Sequence, residues 1–232
     1  MNPIDIILAS APAEIKKLEV DENYLITISE NNSKEIEKMI TADPKYHFSE
    51  SKENFLKLWE EKNHQLDLND CFNVVKAIAS ENRTRTADRF SLIFAQYMSS
   101  TDFFDRVIKG DVKLVDDMFA YVVRNNGRKD KSLASKICKY LNEWICSGNA
   151  YSINDHFVRE VLPYYLKKHG VDEKTWKDVN FESISYVQFI GYIAALEEKI
   201  GCLNKNLIDH ILWYGYRSDP IRCAIAKTLG QM

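Results

Sequence analysis

Turn-forming residues are scarce in this chain, with 5 prolines and 8 glycines in 232 residues. That is too few to punctuate a fold of many short strands, and it favours long helices. The five cysteines, Cys71, Cys138, Cys146, Cys202 and Cys223, are odd in number and include no C-x-x-C pair. Neither a disulfide framework nor a zinc ribbon is indicated, and all five are expected to be small buried residues. His47, His64, His156, His169 and His210 are scattered without H-E-x-x-H spacing, so no metal and no other cofactor is expected. No apolar run approaches the ~20 residues needed to span a bilayer; the best, Val187 to Leu196, ends at Glu197 and Glu198. The N-terminus lacks the positive region of a signal peptide and carries Asp5 ahead of its apolar run, so a mature cytoplasmic start is expected.

A hydrophobic content of 45% with 28% charged residues is a globular composition. Together with the scarcity of turn-formers it predicts an all-α fold, with 1–232 as a single structural unit. From Pro3 to Leu18 one or two short helices broken near Pro12 are expected, and the alternation in NYLITISE fits a short strand or extended segment. Amphipathic helices follow through Phe55, Leu56, Leu58 and Trp59, then through Cys71, Val74, Val75 and Ile78. A helix from about Thr86 to Met98, with Phe90, Ile93, Phe94 and Tyr97, is expected to be a central buried member. The turn before it carries Arg83, Arg85 and Arg89, a second candidate phosphate-facing loop. Beyond Gly170, the spacing of Ile184, Val187, Ile190, Ile193 (or Ala194) and Glu197 marks a long helix, apolar until its last turns, and two more helices close the chain.

Net charge is -3, yet Arg124 to Lys168 holds nine basic and four acidic residues, a net +5 that leaves -8 for the remainder. Such asymmetry suggests a basic face on an acidic body, although a solvated helix face accounts for it equally. In the helix starting near Lys131, placing residues at 100° per position makes Leu133, Ala134, Ile137, Cys138, Leu141, Trp144 and Ile145 the apolar face and puts Lys139, Asn142 and Glu143 on the wet side. Lys136 falls at the boundary, where its stem lies on apolar surface and its amine reaches a cleft. Asp155 stands where the next helix begins, in SINDHFVREVLPYYLKK; a carboxylate there accepts backbone N–H bonds and faces the positive end of the helix dipole. An ordinary N-cap accounts for Asp155 as well, and Ser152 is an alternative cap.

Taken together, the SLASK segment, an aromatic-rich loop, Asp155 lying 19 positions after Lys136, the following His-Phe-Val-Arg and the later LIDHILWYGYR resemble the helix-hairpin-helix superfamily of DNA base-excision glycosylases. Within it, the pattern is similar to divergent relatives of 8-oxoguanine DNA glycosylase. The likeness spans roughly 111–217, with 1–110 expected as an N-terminal helical portion packed on that region. The glycine-rich hairpin of the superfamily is replaced here by Asn125-Asn126-Gly127, and the histidine follows the aspartate by one place instead of two.

The resemblance implies a two-lobed helical architecture and a monomer acting on double-stranded DNA that carries a damaged or modified base, with oxidised guanine as the family's first expectation. It implies that the target nucleotide is turned out of the stack. Lys136, its pKa lowered by partial burial, would attack C1′ to expel the base, forming a Schiff base that permits strand cleavage, while Asp155 stabilises the developing charge. Arg124, Arg128, Lys129, Lys131 and Arg159 would hold phosphates, and Trp144, Tyr151 and Phe157 would line the base pocket. Lys131 is the second candidate nucleophile. Two alternatives stay open: a catalytically inactive helical nucleic-acid-binding protein, and a protein-binding helical scaffold whose acidic body is the working surface.

Overall fold

The computed structural model describes residues 17–43, 48–82, 86–100, 102–127, 129–201, 205–217 and 219–232. Among them the fold is all-α, as the composition predicts. The helices are α1 (Glu30–Ala42), α2 (Phe48–Glu61), α3 (Leu68–Glu81), α4 (Asp88–Ser100), α5 (Phe103–Ile108), α6 (Lys113–Arg124), α7 (Lys131–Cys146), α8 (His156–Lys168), α9 (Tyr186–Ile200), α10 (Lys205–Asp209) and α11 (Pro220–Gln231). A 3-10 turn, Glu173–Thr175, follows α8, and a π-helical segment, His210–Gly215, continues α10. Among the described residues no helix is long and apolar enough to cross a membrane. The helices expected between Pro3 and Lys16, and the arginines Arg83 and Arg85, lie outside the described residues.

Side-chain caps set several of these starts. Asp67 accepts the Asp70 N–H at 2.9 Å while the Asp70 carboxylate accepts the Asp67 N–H, a reciprocal box that opens α3. Asp130 accepts the Leu133 N–H at 2.9 Å and opens α7, and Asp219 accepts the Arg222 N–H at 3.1 Å and opens α11. The extended segment expected in NYLITISE is a single antiparallel bridge between Val20 and Ile26.

The chain divides into two compact units, and not at 110/111. One comprises the residues up to Asp43, Asp155–Ile184 and Tyr192–Met232; the other comprises Pro44–Asn154 and Ser185–Gly191. The reason is packing: α5, α6 and α7 lie against the helices that precede them, whereas α1 lies against the π segment near the end of the chain.

In the second unit α4 buries Phe94, Ala95, Tyr97 and Met98, in keeping with its sequence, and α7 is more fully enclosed still. Helix α7 touches α2, α3, α5 and α6, and eleven of its sixteen residues are buried. The apolar face read from its sequence is therefore only part of what it covers. Lys139 and Asn142, expected on the wet side, are 6% and 2% exposed, because neighbours enclose the helix on more than one side. Each fully buried Leu, Ile or Val here contributes roughly 1.5–3 kcal/mol. Cys71 and Cys138 are buried, as expected, but Cys146 is exposed at the helix end.

In the first unit the core is built largely around tyrosine. The Tyr165 hydroxyl donates to the Ile26 carbonyl and meets the Tyr216 hydroxyl, joining the bridged turn, α8 and the segment after the π turn. Asp21 accepts the backbone N–H groups of Asn23 and Leu25 at 2.8 and 2.9 Å and is also bound by Tyr164 and Lys168. Burial alone would raise the Asp21 carboxyl pKa, but the hydrogen bonds from Lys168, Tyr164 and the Leu25 and Asn23 N–H groups together hold it below its ordinary value. Helices α8 and α11 approach closely at Gly230, where a Cβ would stand 2.8 Å from the Tyr164 backbone nitrogen.

The inward stripe of α9 is Tyr186, Phe189, Ile193 and Leu196; Val187, assigned to it by periodicity, is 39% exposed. Larger aromatic side chains one position away, Tyr186 and Phe189, take the buried side in the first turns, whereas Ile193 and Glu197 are buried where the spacing expects.

Candidate functional site

Lys136 projects from the second turn of α7 and is only 4% exposed. Its neighbour Ser135 donates from its hydroxyl to the Ser132 carbonyl and accepts the Asn154 N–H at 3.0 Å. That second bond fixes the far end of the loop that follows α7, one residue before Asp155.

The loop is anchored along its length. Ser147 ends α7 in the left-handed region, at φ 53°. Gly148 then presses against Asn142: a Cβ at this position would stand 2.2 Å from Asn142 Oδ1, so only glycine fits. Asn142 donates to the Val107 carbonyl at 2.8 Å and accepts the Ala150 N–H at 3.3 Å, tying α7, α5 and the loop together. The Tyr151 hydroxyl donates to the Asp111 carbonyl at 3.0 Å. Tyr186 spans Ser152, its hydroxyl accepting the Ser152 N–H and donating to the Ser152 carbonyl, both at 2.8 Å. The start of α9 is held in turn by Asp116, whose carboxylate accepts the Tyr186 N–H at 2.8 Å.

Asp155 belongs to the other unit, where it is 5% exposed and caps α8 by accepting the Val158 N–H at 3.2 Å. Ser152, the alternative cap, does not serve. Asp155 also has a neighbour that sequence reading passed over, Cys223 in α11, whose thiol is pushed up to about 12 by burial and by the Glu160 and Asp155 charges.

The remaining candidates divide by environment. Arg124 and Lys129 are exposed. Lys131 is drawn inward, with its amine 3.8 Å from Asp116 and over the Phe119 ring at 5.1 Å. Arg159 stands 3.0 Å from Glu182. Arg128 lies outside the described residues. Trp144 and Tyr151, expected against a base, are 6% and 1% exposed within the second unit. Trp144 packs between Phe55 and Tyr140 at centroid distances of 5.5 and 5.8 Å, and burial pushes the Tyr151 hydroxyl pKa upward. Phe157, half-buried in the first unit, lies against the His156 ring at 3.8 Å.

Sequence reasoning missed Ser135, Asn142 and Tyr186, which organise the loop. The helical wheel carries no signal for Asn142, which it puts on the wet side; only its burial to 2% exposure shows that its amide needs partners. Among the described residues no cluster of three or more His, Cys, Asp or Glu side chains could hold a metal ion. No protein-family model matches the chain, and neither the curated proteins nor the solved structures give a significant match.

Proposed function

We propose that this protein is a DNA glycosylase with an associated lyase step, in which Lys136 is the nucleophile and Asp155 the carboxylate facing the charge that develops on the sugar. The supporting observation is the burial of both groups, 4% and 5% exposed, on consecutive helices whose connecting loop is anchored throughout. Keeping an ammonium or a carboxylate away from water costs on the order of several kcal/mol per ion, and such groups concentrate at functional sites. The hydrogen bond between Ser135 and Asn154 holds the end of that loop within the second unit.

In this reading the neutral Lys136 amine attacks C1′ as the glycosidic bond breaks. The bonding electrons leave with the base, and the amine gives up a proton. Opening of the sugar ring then yields an iminium, which elimination of the 3′ phosphate can follow. Asp155 opposes the positive charge on the sugar and accepts or relays the proton. Arg124 and Lys129 are the exposed cations available for phosphate contact.

The test is reductive trapping on duplexes carrying a panel of modified bases, beginning with 8-oxoguanine. Borohydride should yield a covalent protein–DNA adduct with the wild type, none with Lys136→Ala, and strongly reduced adduct with Asp155→Asn. An adduct that persists in Lys136→Ala, or neither nicking nor trapping across the panel, would overturn the proposal.

A second reading, a helical scaffold that binds protein, draws on Lys131 and Arg159, which are already engaged by Asp116 and Glu182. Binding to undamaged duplex separates the two. A glycosylase loses affinity steeply as salt rises, whereas the scaffold shows no binding at any salt.

A further inference from the structure

The outer side of the α3–α4 hairpin carries an open groove of about 410 Å³ lined by Leu68, Asn69, Phe72, Asp88, Arg89 and Leu92. Two matching stripes build it. Leu68, Phe72 and Lys76 are spaced four apart on α3, and Asp88, Leu92 and Gln96 are spaced four apart on α4, so each set runs along one side of its helix. Lys76 donates to Asp88 at 2.5 Å, which sets the end of one helix beside the start of the other. The core takes other faces, through Val75 and Ile78 of α3 and Phe94 and Met98 of α4. Leu68 and Leu92 are left 40% and 39% exposed, with Phe72 half-buried between them.

The groove has opposite charge at its two ends. Leu68 stands two turns from Lys76, roughly 12 Å along α3. At the Leu68 end Lys62 faces Asp67 and Asp70, at 3.4 and 2.8 Å, which leaves one negative charge in excess. At the other end Lys76 is matched by Asp88, while the exposed Arg89 lies over the Phe90 ring at 4.5 Å and has no carboxylate partner among the described residues. That end has one positive charge in excess.

We propose that this groove docks a second copy of the same chain, the two hairpins facing each other across a two-fold axis that passes beside Phe72 and Leu92. Such an axis, perpendicular to the groove, lays the positive end of each copy over the negative end of the other, so Arg89 meets the Asp67 and Asp70 end twice in one dimer. It also buries Phe72 and Leu92 of each copy against those of the other. An axis running along the groove would set like charges together. A different protein would have to bring an apolar centre flanked by the same two charges in reverse order, which a rotated copy of the groove already supplies. An interface of this size is weak and fills only at high protein concentration. The inference departs from the monomer that the glycosylase resemblance implies and stands apart from the proposed chemistry, since neither Lys136 nor Asp155 lines the groove.

Sedimentation velocity on the full chain in low-salt buffer, from about 5 to about 500 μM protein, tests it. The wild type should pass from monomer to dimer across that range. Leu92→Glu puts a charge at the centre of the contact and should stay monomeric throughout. Arg89→Glu should weaken the dimer roughly tenfold or more, because a substitution in a symmetric pair acts twice. Asn69→Lys, at the opposite end, should also weaken it when made alone, yet combined with Arg89→Glu it reverses the polarity of the groove and should restore association. Asn69, Arg89 and Leu92 are all exposed, so the variants should keep the helical fold, as read by circular dichroism. A chain that stays monomeric to about 500 μM, as it would if a different protein covers the groove, overturns the inference. So does a dimer untouched by Leu92→Glu, or a double variant that associates no better than Arg89→Glu.

Discussion

The two units reach stability by different routes. In the second, α2 to α7 follow one another along the chain and each lies against near neighbours, so apolar periodicity alone comes close to specifying the packing. The first is assembled from three separate stretches, and its joints are polar: Asp21 with Tyr164 and Lys168, and Ile26 with Tyr165 and Tyr216. These bonds join residues about 140 positions apart, and their closure entropy must be met by specific contacts. A unit made of consecutive helices can tolerate an imperfect contact. One closed by a few buried polar links depends on each of them.

The sharpest way to break that comparison is Asp21→Ala. It removes the shared acceptor of Tyr164, Lys168 and two backbone N–H groups, and the expected loss is about 3 kcal/mol in chemical denaturation. Hydrogen exchange should show α1 and α8 losing protection together while α3 and α4 keep theirs. Uniform loss across both units would mean that they are not separate in stability. The pH dependence follows from the same carboxyl. Its folded pKa is depressed below 3.8, so its contribution is fully present above that value and is lost as pH falls through the folded pKa. In Asp21→Ala that acid-side loss should disappear.

Tyr186→Phe is the matching change in the second unit. It strips Ser152 of partners for both its N–H and its carbonyl, at an expected cost of about 2 kcal/mol. Because the loop leads to Asp155, the same variant should also lower any Lys136-dependent trapping. Unchanged trapping at undiminished stability would show that the loop needs no support from α9.

The smallest effect concerns Glu197 in α9. Burial raises its carboxyl pKa more than Lys205, 3.3 Å away, lowers it. A raised folded pKa means that the associated stability is fully present below 4.5 and lost as pH rises through the folded value. Glu197→Gln should therefore flatten the stability profile on that side, as read from melting temperatures across mildly acidic to neutral pH. A steeper profile would reverse the assignment.

Much of the local structure was legible before any coordinates. The start of α7 at Lys131 and of α8 directly after Asp155 follow from a capping carboxylate placed ahead of an apolar period, a signal carried by a few adjacent residues. The same reasoning failed on Lys139 and Asn142, because a helical wheel ranks residues by polarity and cannot count how many neighbours surround the helix. It failed on the first turns of α9 by one position, since a chain that is apolar on most sides offers several stripes and only the core chooses among them.

The sequence by itself determined the helical class, most helix boundaries and the presence of a lysine and an aspartate at the two ends of one helix–loop connection, because capping, periodicity and turn chemistry act over a few residues. Tertiary structure alone decided that the first residues described join the last ones in one unit, that α7 is enclosed, and that Asn142 and Tyr186 hold the loop. Those outcomes depend on contacts between residues far apart in the chain, whose partners no local pattern names.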